Sequence, residues 1–223
     1  MNDTGKSALE GLQTKEDTTK VRYILFLDIL GFKDRIARHS HEEVMATLLN
    51  LQGSIYSTLK SNEEAKLQSN IFSDSILLFT PDDSRESLEA LSQVTCNIMQ
   101  TAITAGVPLK GALAKGKVSC DTAKQLFFGQ ALIDAYLLEE STKYYGILVH
   151  HSAEAAVRDY PGMYRDVQAN LKSGTICHYE LNWHSRDDET KQKVLDALER
   201  LRCTVSDEPR KYIDNTRNIV NTK

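Results

Sequence analysis

The run RYILFLDIL, from Arg22 to Leu30, is followed at once by Gly31. Nine residues made mostly of large apolar side chains are too few for an exposed helix and present no polar face, so the run predicts a buried central strand. One residue breaks the pattern: Asp28 puts a carboxylate near the strand's end. Such a chain needs a sheet covered by other elements, and its acid needs a partner.

The remaining pattern supplies that cover. From Asp34 to about Lys60 apolar residues recur at helical spacing (Ile36, Val44, Leu48, Leu51, Ile55, Leu59), with a break around His39 to His41. KLQSNIF and SILLFTP are two strand-like runs joined only by Ser73 and Asp74, which predicts a tight hairpin with Asp74 at its tip. Ser84 is placed to cap a helix reaching about Ala105, and Gly106 to end it. PLKGALAKGKVS then reads as a strand, and a polar loop follows. GQALIDAYLLEES reads as a helix, GILVH as a strand, HSAEAAVRD as a short helix and TICHYELNW as a strand. From about Asp187 the chain is charged and helical through Val194, Leu198 and Leu201. The order strand, helix, hairpin, helix, strand is the ferredoxin-like arrangement of the α+β class, an antiparallel-rich sheet with flanking helices. Residues 1–20 lack hydrophobic periodicity and are expected to form a flexible arm, leaving 21–223 as one domain with a C-terminal helical extension.

Composition narrows the function. The 223 residues carry 27 lysines and arginines against 31 acids, a net charge of −4, so no overall positive field recruits nucleic acid or an anionic membrane. Cys96, Cys120, Cys177 and Cys203 are at least 24 positions apart, which provides neither a zinc knuckle nor a disulfide framework, and reduced, mostly buried thiols are expected. No segment approaches the ~20 apolar residues of a membrane helix, and the polar amino terminus is no signal peptide, so a cytoplasmic protein is expected. His150 and His151 are adjacent, would point to opposite faces of a strand, and have no third ligand at zinc-like spacing. Tyr144, Tyr145 and Trp183 are expected in the core. GALAKGK lacks the ending of a phosphate-binding P-loop, and no serine sits in a nucleophile elbow.

Two carboxylates remain, Asp28 in FLDILGF and Asp74 in FSDSILLF. Either one alone is as compatible with capping a turn as with binding a cation. If the first strand lies beside the hairpin, both reach one edge of the sheet. Like charges held within ~4–6 Å repel unless a cation lies between them, and hard oxygen donors favour Mg²⁺ or Mn²⁺. The glycine of Ile29-Leu30-Gly31-Phe32 lets backbone N–H groups approach an anion, so metal and phosphate would share a corner.

FLDILGF, NIFSDSILLF, LKGALAKGKVS and FFGQALIDAYLLEE together resemble the class III nucleotidyl cyclases, and most closely the bacterial pyrimidine cyclases of the anti-phage Pycsar systems. The resemblance spans roughly residues 22–150. It implies two divalent metals, Mn²⁺ or Mg²⁺, on Asp28, Asp74 and the carbonyl of Ile29, with Gly31 and Phe32 positioning the triphosphate. It also implies a homodimer whose sites combine residues of both subunits. Adenylate cyclases place a purine-reading lysine at the position of Asn70 and a polar companion at that of Leu126. Asn70 is an amide that suits the edge of uracil or cytosine and is equally an ordinary strand residue. The asparagine and arginine of the purine cyclases fall on Ile133 and Leu137, leaving Lys33, Arg35, Lys115 or Lys117 to supply positive charge. The resemblance therefore implies conversion of UTP to cyclic UMP and diphosphate, a messenger for a separate defence effector. The alternatives are cyclic CMP from CTP, or a catalytically silent nucleotide sensor.

Overall fold

The computed structural model describes residues 19–121 and 124–222. Residues 1–18, most of the expected arm, lie outside the described residues; Thr19 and Lys20 already belong to the first strand. In chain order the elements are β1 (Thr19–Ile29), α1 (Phe32–Arg38), α2 (His41–Lys60), a 3₁₀ turn (Glu63–Ala65), β2 (Gln68–Phe72), β3 (Ser75–Phe79), α3 (Arg85–Thr104), β4 (Leu109–Asp121), β5 (Leu126–Phe128), α4 (Gln130–Ser141), β6 (Ile147–Val149), α5 (His151–Val157), β7 (Tyr164–Leu171), β8 (Gly174–Leu181), α6 (Asp188–Arg202) and α7 (Asp207–Asn221).

The strands form one mixed sheet in the order β2-β3-β1-β4-β6-β8-β7, with β5 paired to β4. As its composition predicts, β1 is central: it runs antiparallel to β3 on one side and to β4 on the other. Among the neighbouring strands of the described residues only β4 and β6 run parallel. The tight β2–β3 turn forms over Ser73 and Asp74, with Ser73 in the left-handed region at φ 56°.

Leu25, Leu27 and Ile29 of β1 share the main core with Leu88, Leu91, Ile98 and Met99 of α3. On the other face Ile24, Ala114 and Val118 meet Ala131 and Ala135 of α4. The period-2 alternation of β1 therefore divides its side chains between two apolar layers, which is why the run from Tyr23 to Leu27 is apolar on both faces. Both long helices start as their sequences direct. Ser40 and Glu43 form a reciprocal capping box on α2, and Ser84 Oγ accepts from the amide of Ser87 on α3. Gly111 of β4 is packed so closely that a Cβ there would come within 2.4 Å of the Phe26 carbonyl oxygen. Only glycine lets β1 and β4 approach this way.

Several expectations need correction. The residues after Asp187 form two helices, α6 and α7, broken at 203–206. The polar stretch before α4 contains β5, and β7 lies between α5 and β8. Cys96 and Cys120 are buried while Cys177 and Cys203 are exposed, so only half of these free thiols are internal. His150 is the N-cap of α5 rather than a strand residue, and its ring lies 4.0 Å from that of His151, centroid to centroid. Tyr144, Tyr145 and Trp183 are buried, and no described helix is long and apolar enough to cross a membrane.

Near the end of β8 a carboxylate, that of Glu180, is fully enclosed. Glu180 accepts from the Tyr144 hydroxyl at 2.8 Å and lies 2.9 Å from Nε2 of His184 and 3.3 Å from a guanidinium nitrogen of Arg165. The same arginine donates to the Ile219 carbonyl at 2.9 Å, which ties α7 to the sheet. A buried carboxylate is tolerated because each of its oxygens is engaged.

Candidate active site

Strand pairing positions Asp28. It stands opposite Ser75 of β3 on one side and Lys110 of β4 on the other. One residue on, the Ile29 amide donates to the Asp74 carbonyl oxygen at 2.9 Å, so the end of β1 is joined to the hairpin tip. Asp28, Ile29, Gly31, Phe32 and Asp74 all line one cavity of about 430 Å³, together with Lys33, Lys110, Tyr136 and Glu139. Asn70 does not line it. That residue lies on the sheet-edge strand β2 opposite Leu77, and its amide donates to Oε1 of Gln125 at 3.4 Å.

The charge balance of the cavity centres on Asp28. Its carboxyl is pushed up to about 7, first by burial and then by the negative charges of Glu139 and Asp74, against the opposing pull of Lys110 and Lys33. Lys110 does not relieve it fully because it is already engaged. Its Nζ lies 2.7 Å from Oε1 of Glu139 in a buried ion pair and donates a hydrogen bond to the Glu139 main-chain carbonyl at 2.8 Å. Among the described residues the Asp28 side chain has no hydrogen-bond or ion-pair partner. A partly buried carboxylate without a partner, sharing its cavity with a second acid, suits a cation.

These residues therefore fit a divalent metal by donor type. No group of three or more His, Cys, Asp or Glu side chains is gathered as a metal site among the described residues. A cation here would use two carboxylates and main-chain or solvent oxygen, the pattern for Mg²⁺ or Mn²⁺ rather than zinc.

The turn beyond Asp28 faces the same space. Gly31 has φ 74°, a left-handed conformation that glycine adopts without cost. Its carbonyl accepts from Arg35 at 2.9 Å and closes the first turn of α1. Among the described residues the N–H groups of Gly31, Phe32 and Lys33 have no main-chain acceptor, the ordinary condition of a helix start.

Lys110 and Glu139 were absent from the sequence reading. A lysine inside the otherwise apolar strand LKGALA was the available signal, but nothing in the sequence indicates its partner 29 positions later. Of the basic residues that were singled out, Lys33 lines the cavity. Arg35 donates to the Gly106 carbonyl at 3.0 Å, Lys115 pairs with Asp83 at 2.9 Å, and Lys117 is exposed. Ile133 and Leu137 are half exposed on the outer side of α4, flanking the cavity-lining Tyr136.

No family model matches the sequence, and no curated protein matches it. Solved structures share its architecture. The guanylate cyclase domain of RhGC from Catenaria anguillulae in complex with GTP superposes with a TM-score of 0.58 at 18% identity, covering 73% of this chain and 96% of that one. The monomeric guanylyl cyclase domain of the RhoGC fusion protein from Blastocladiella emersonii gives 0.60 at 18% identity over 73% and 95%. The adenylyl cyclase CyaB from P. aeruginosa gives 0.55 at 18% identity over 73% and 94%. The fold is that of class III nucleotidyl cyclase catalytic domains.

Proposed function

We propose that this protein is a divalent-metal-dependent nucleotide cyclase that converts UTP to cyclic UMP and diphosphate. The observation that carries the reading is Asp28: a partnerless, partly buried carboxylate with a pKa near 7, sharing its cavity with Asp74, in a cyclase fold.

In this reading Asp28, Asp74 and the Ile29 carbonyl hold Mn²⁺ or Mg²⁺, two ions per site. Bound there, such ions would acidify the ribose 3′-hydroxyl and neutralise the triphosphate. The chain's own part is to position. The N–H groups around Gly31 and Phe32 face the phosphates, and Lys33 adds positive charge, while Lys110 is neutralised by Glu139. Holding the hydroxyl and the α-phosphorus of one molecule in line supplies ~7–11 kcal/mol of barrier reduction. Diphosphate leaves as the new ester forms.

Pyrimidine preference is inferred from Asn70 and Leu126, which offer no purine-reading lysine or polar companion. CTP is the alternative substrate. Asn70 lies outside the Asp28 cavity of its own chain, which suits a homodimer in which each subunit reads the base bound beside its partner's acids. Exposed apolar side chains support such a partner: Phe72 at the hairpin tip is 80% exposed, and Leu126, Phe128, Ile133 and Leu137 are each half exposed. The Asn70 amide donates to Oε1 of Gln125, the residue before β5, at 3.4 Å, which links the edge strand β2 to the segment that carries Leu126 and Phe128. The role we propose is that of a cytoplasmic source of a cyclic pyrimidine signal for a separate anti-phage effector.

A second reading is a silent nucleotide sensor, favoured by the apolar Ile133 and Leu137 where purine cyclases carry asparagine and arginine. Incubating purified protein with Mn²⁺ and each of the four ribonucleoside triphosphates separates the two. Cyclic product and diphosphate from UTP or CTP alone, lost in Asp28→Ala and Asp74→Ala, supports the cyclase. No turnover by a folded dimer supports the sensor, and preferred turnover of ATP overturns the pyrimidine reading.

A further inference from the structure

A second cavity of about 430 Å³ adjoins the first at Gly31 and Asp34, between α1, the α3–β4 connection and the junction of α6 with α7. Its walls are largely apolar, with Leu30, Leu201, Val205 and Ile213 among them. Volumes of this size with a few polar groups on apolar walls are typical of small-molecule sites.

Two observations indicate what it takes. Tyr145 lines it and is only 4% exposed, yet its hydroxyl has no hydrogen-bond partner among the described residues. Its amide is occupied by Thr216 Oγ1 at 2.8 Å, and its ring stacks on Tyr212 with centroids 6.2 Å apart. Burial, and then the neighbouring Tyr212, push the Tyr145 phenol above its ordinary range, so the hydroxyl keeps its proton and acts as a donor. The hydroxyl is not sealed off from solvent, so it is an uncommitted donor at the cavity wall that a ligand acceptor can take up. The second observation is charge. Glu208 on the rim is neutralised by Lys143 at 2.6 Å, and Asp34 lies 3.9 Å from Arg38. Arg35, in contrast, donates to a main-chain carbonyl, so its charge has no acidic partner.

We infer that this cavity binds a small, predominantly apolar molecule carrying one acidic group, with an acceptor at the Tyr145 hydroxyl and the anionic charge on the Arg35 side. Gly31 and Asp34 line both cavities, so an occupant would press on the turn that borders the Asp28 site. This site does not depend on the cyclase reading.

The full chain, titrated with anilinonaphthalene sulfonate in the absence of nucleotide, is expected to bind one dye per chain saturably. The uncharged analogue phenylnaphthylamine is expected to bind about tenfold more weakly, as for loss of a charged hydrogen bond. Val205→Trp, which fills the cavity, is expected to abolish binding. Tyr145→Phe, which keeps the ring, is expected to weaken it about tenfold while the circular dichroism spectrum stays unchanged. Retained affinity in both variants overturns the inference, as does loss of dye binding in a folded Phe32→Ala or Lys33→Ala variant with Tyr145→Phe unaffected, which would place the dye in the Asp28 cavity. Failure of nucleotide turnover alongside normal dye binding would count against the cyclase alone.

Discussion

The Ile29 amide donates to the carbonyl oxygen of Asp74 at 2.9 Å, so main chain holds the end of the central strand against the hairpin tip. The two acids that border one cavity are thus fixed by backbone, and loss of either side chain leaves the frame in place. Asp28→Ala and Asp74→Ala should both fold, with thermal midpoints at or above that of the parent chain. Cyclic nucleotide formation should fall by more than the ~10–100-fold that loss of an outer-shell metal partner costs.

Asp28 predicts a pH dependence with a definite sign. Its carboxyl titrates near 7 in the folded chain, above the ordinary carboxylate value of the unfolded one. The folded state therefore binds the proton more tightly. Without divalent metal, the contribution of Asp28 to stability should be fully present below about pH 4, the unfolded carboxyl's range, and be lost as pH rises through 7, opposite in sign to the carboxylates held low, such as Asp187 and Asp214. Asp28→Asn should flatten that part of the profile, as measured by urea unfolding across the range. Added Mn²⁺ should oppose the decline in the parent chain and have little effect in Asp28→Asn.

The Lys110–Glu139 pair predicts a non-additive result. Removing one partner leaves a buried charge, so Lys110→Met or Glu139→Leu should each cost ~3–5 kcal/mol in denaturant unfolding. The double variant should be more stable than either single one, because no unpaired charge remains. Equal and additive losses would show that the pair is not coupled.

Gly111 predicts a packing defect. Its Cβ-free face lies against the Phe26 carbonyl and the side chain of Leu27. Gly111→Ala should force β1 and β4 apart and destabilise the chain by ~1–3 kcal/mol, measured by thermal or urea unfolding. Gly53, beside which a Cβ would meet nothing within 4 Å, provides the control.

Phe72 tests the proposed subunit contact. It is 80% exposed at the hairpin tip, outside both core layers. Phe72→Glu should leave the monomer folded and weaken self-association by about 2 kcal/mol, roughly 30-fold, the loss typical of an aromatic anchor. Sedimentation velocity over a concentration series reads the shift.

Legibility in the sequence followed the strength of the local pattern. The β2–β3 hairpin was readable because two apolar runs flank a two-residue turn, and α3 because its apolar period and its Ser84 cap agree. β7 was missed although Val167, Ala169 and Leu171 alternate, because small and polar residues weaken the contrast on which alternation depends. The break between α6 and α7 carried its own signal in Ser206, Asp207 and Pro209, the chemistry of a helix start, which the charged surroundings obscured. Asp28 and Asp74 were conspicuous because a carboxylate in an apolar run is anomalous wherever the run folds. Lys110 and Glu139 were not, since each is ordinary until its partner is known.

Local pattern settled most of the strands and helices, β5, β7 and the α6–α7 break apart, and the acids at their ends, because periodicity and capping are properties of neighbours in the chain. Tertiary structure alone decided that Asp28 shares its cavity with Asp74 and Glu139, that Asn70 lies outside it, and that Tyr145 faces a second one. Those facts depend on strand register and on the desolvation of groups far apart in the chain, and desolvation exists only once the sheet has closed over them.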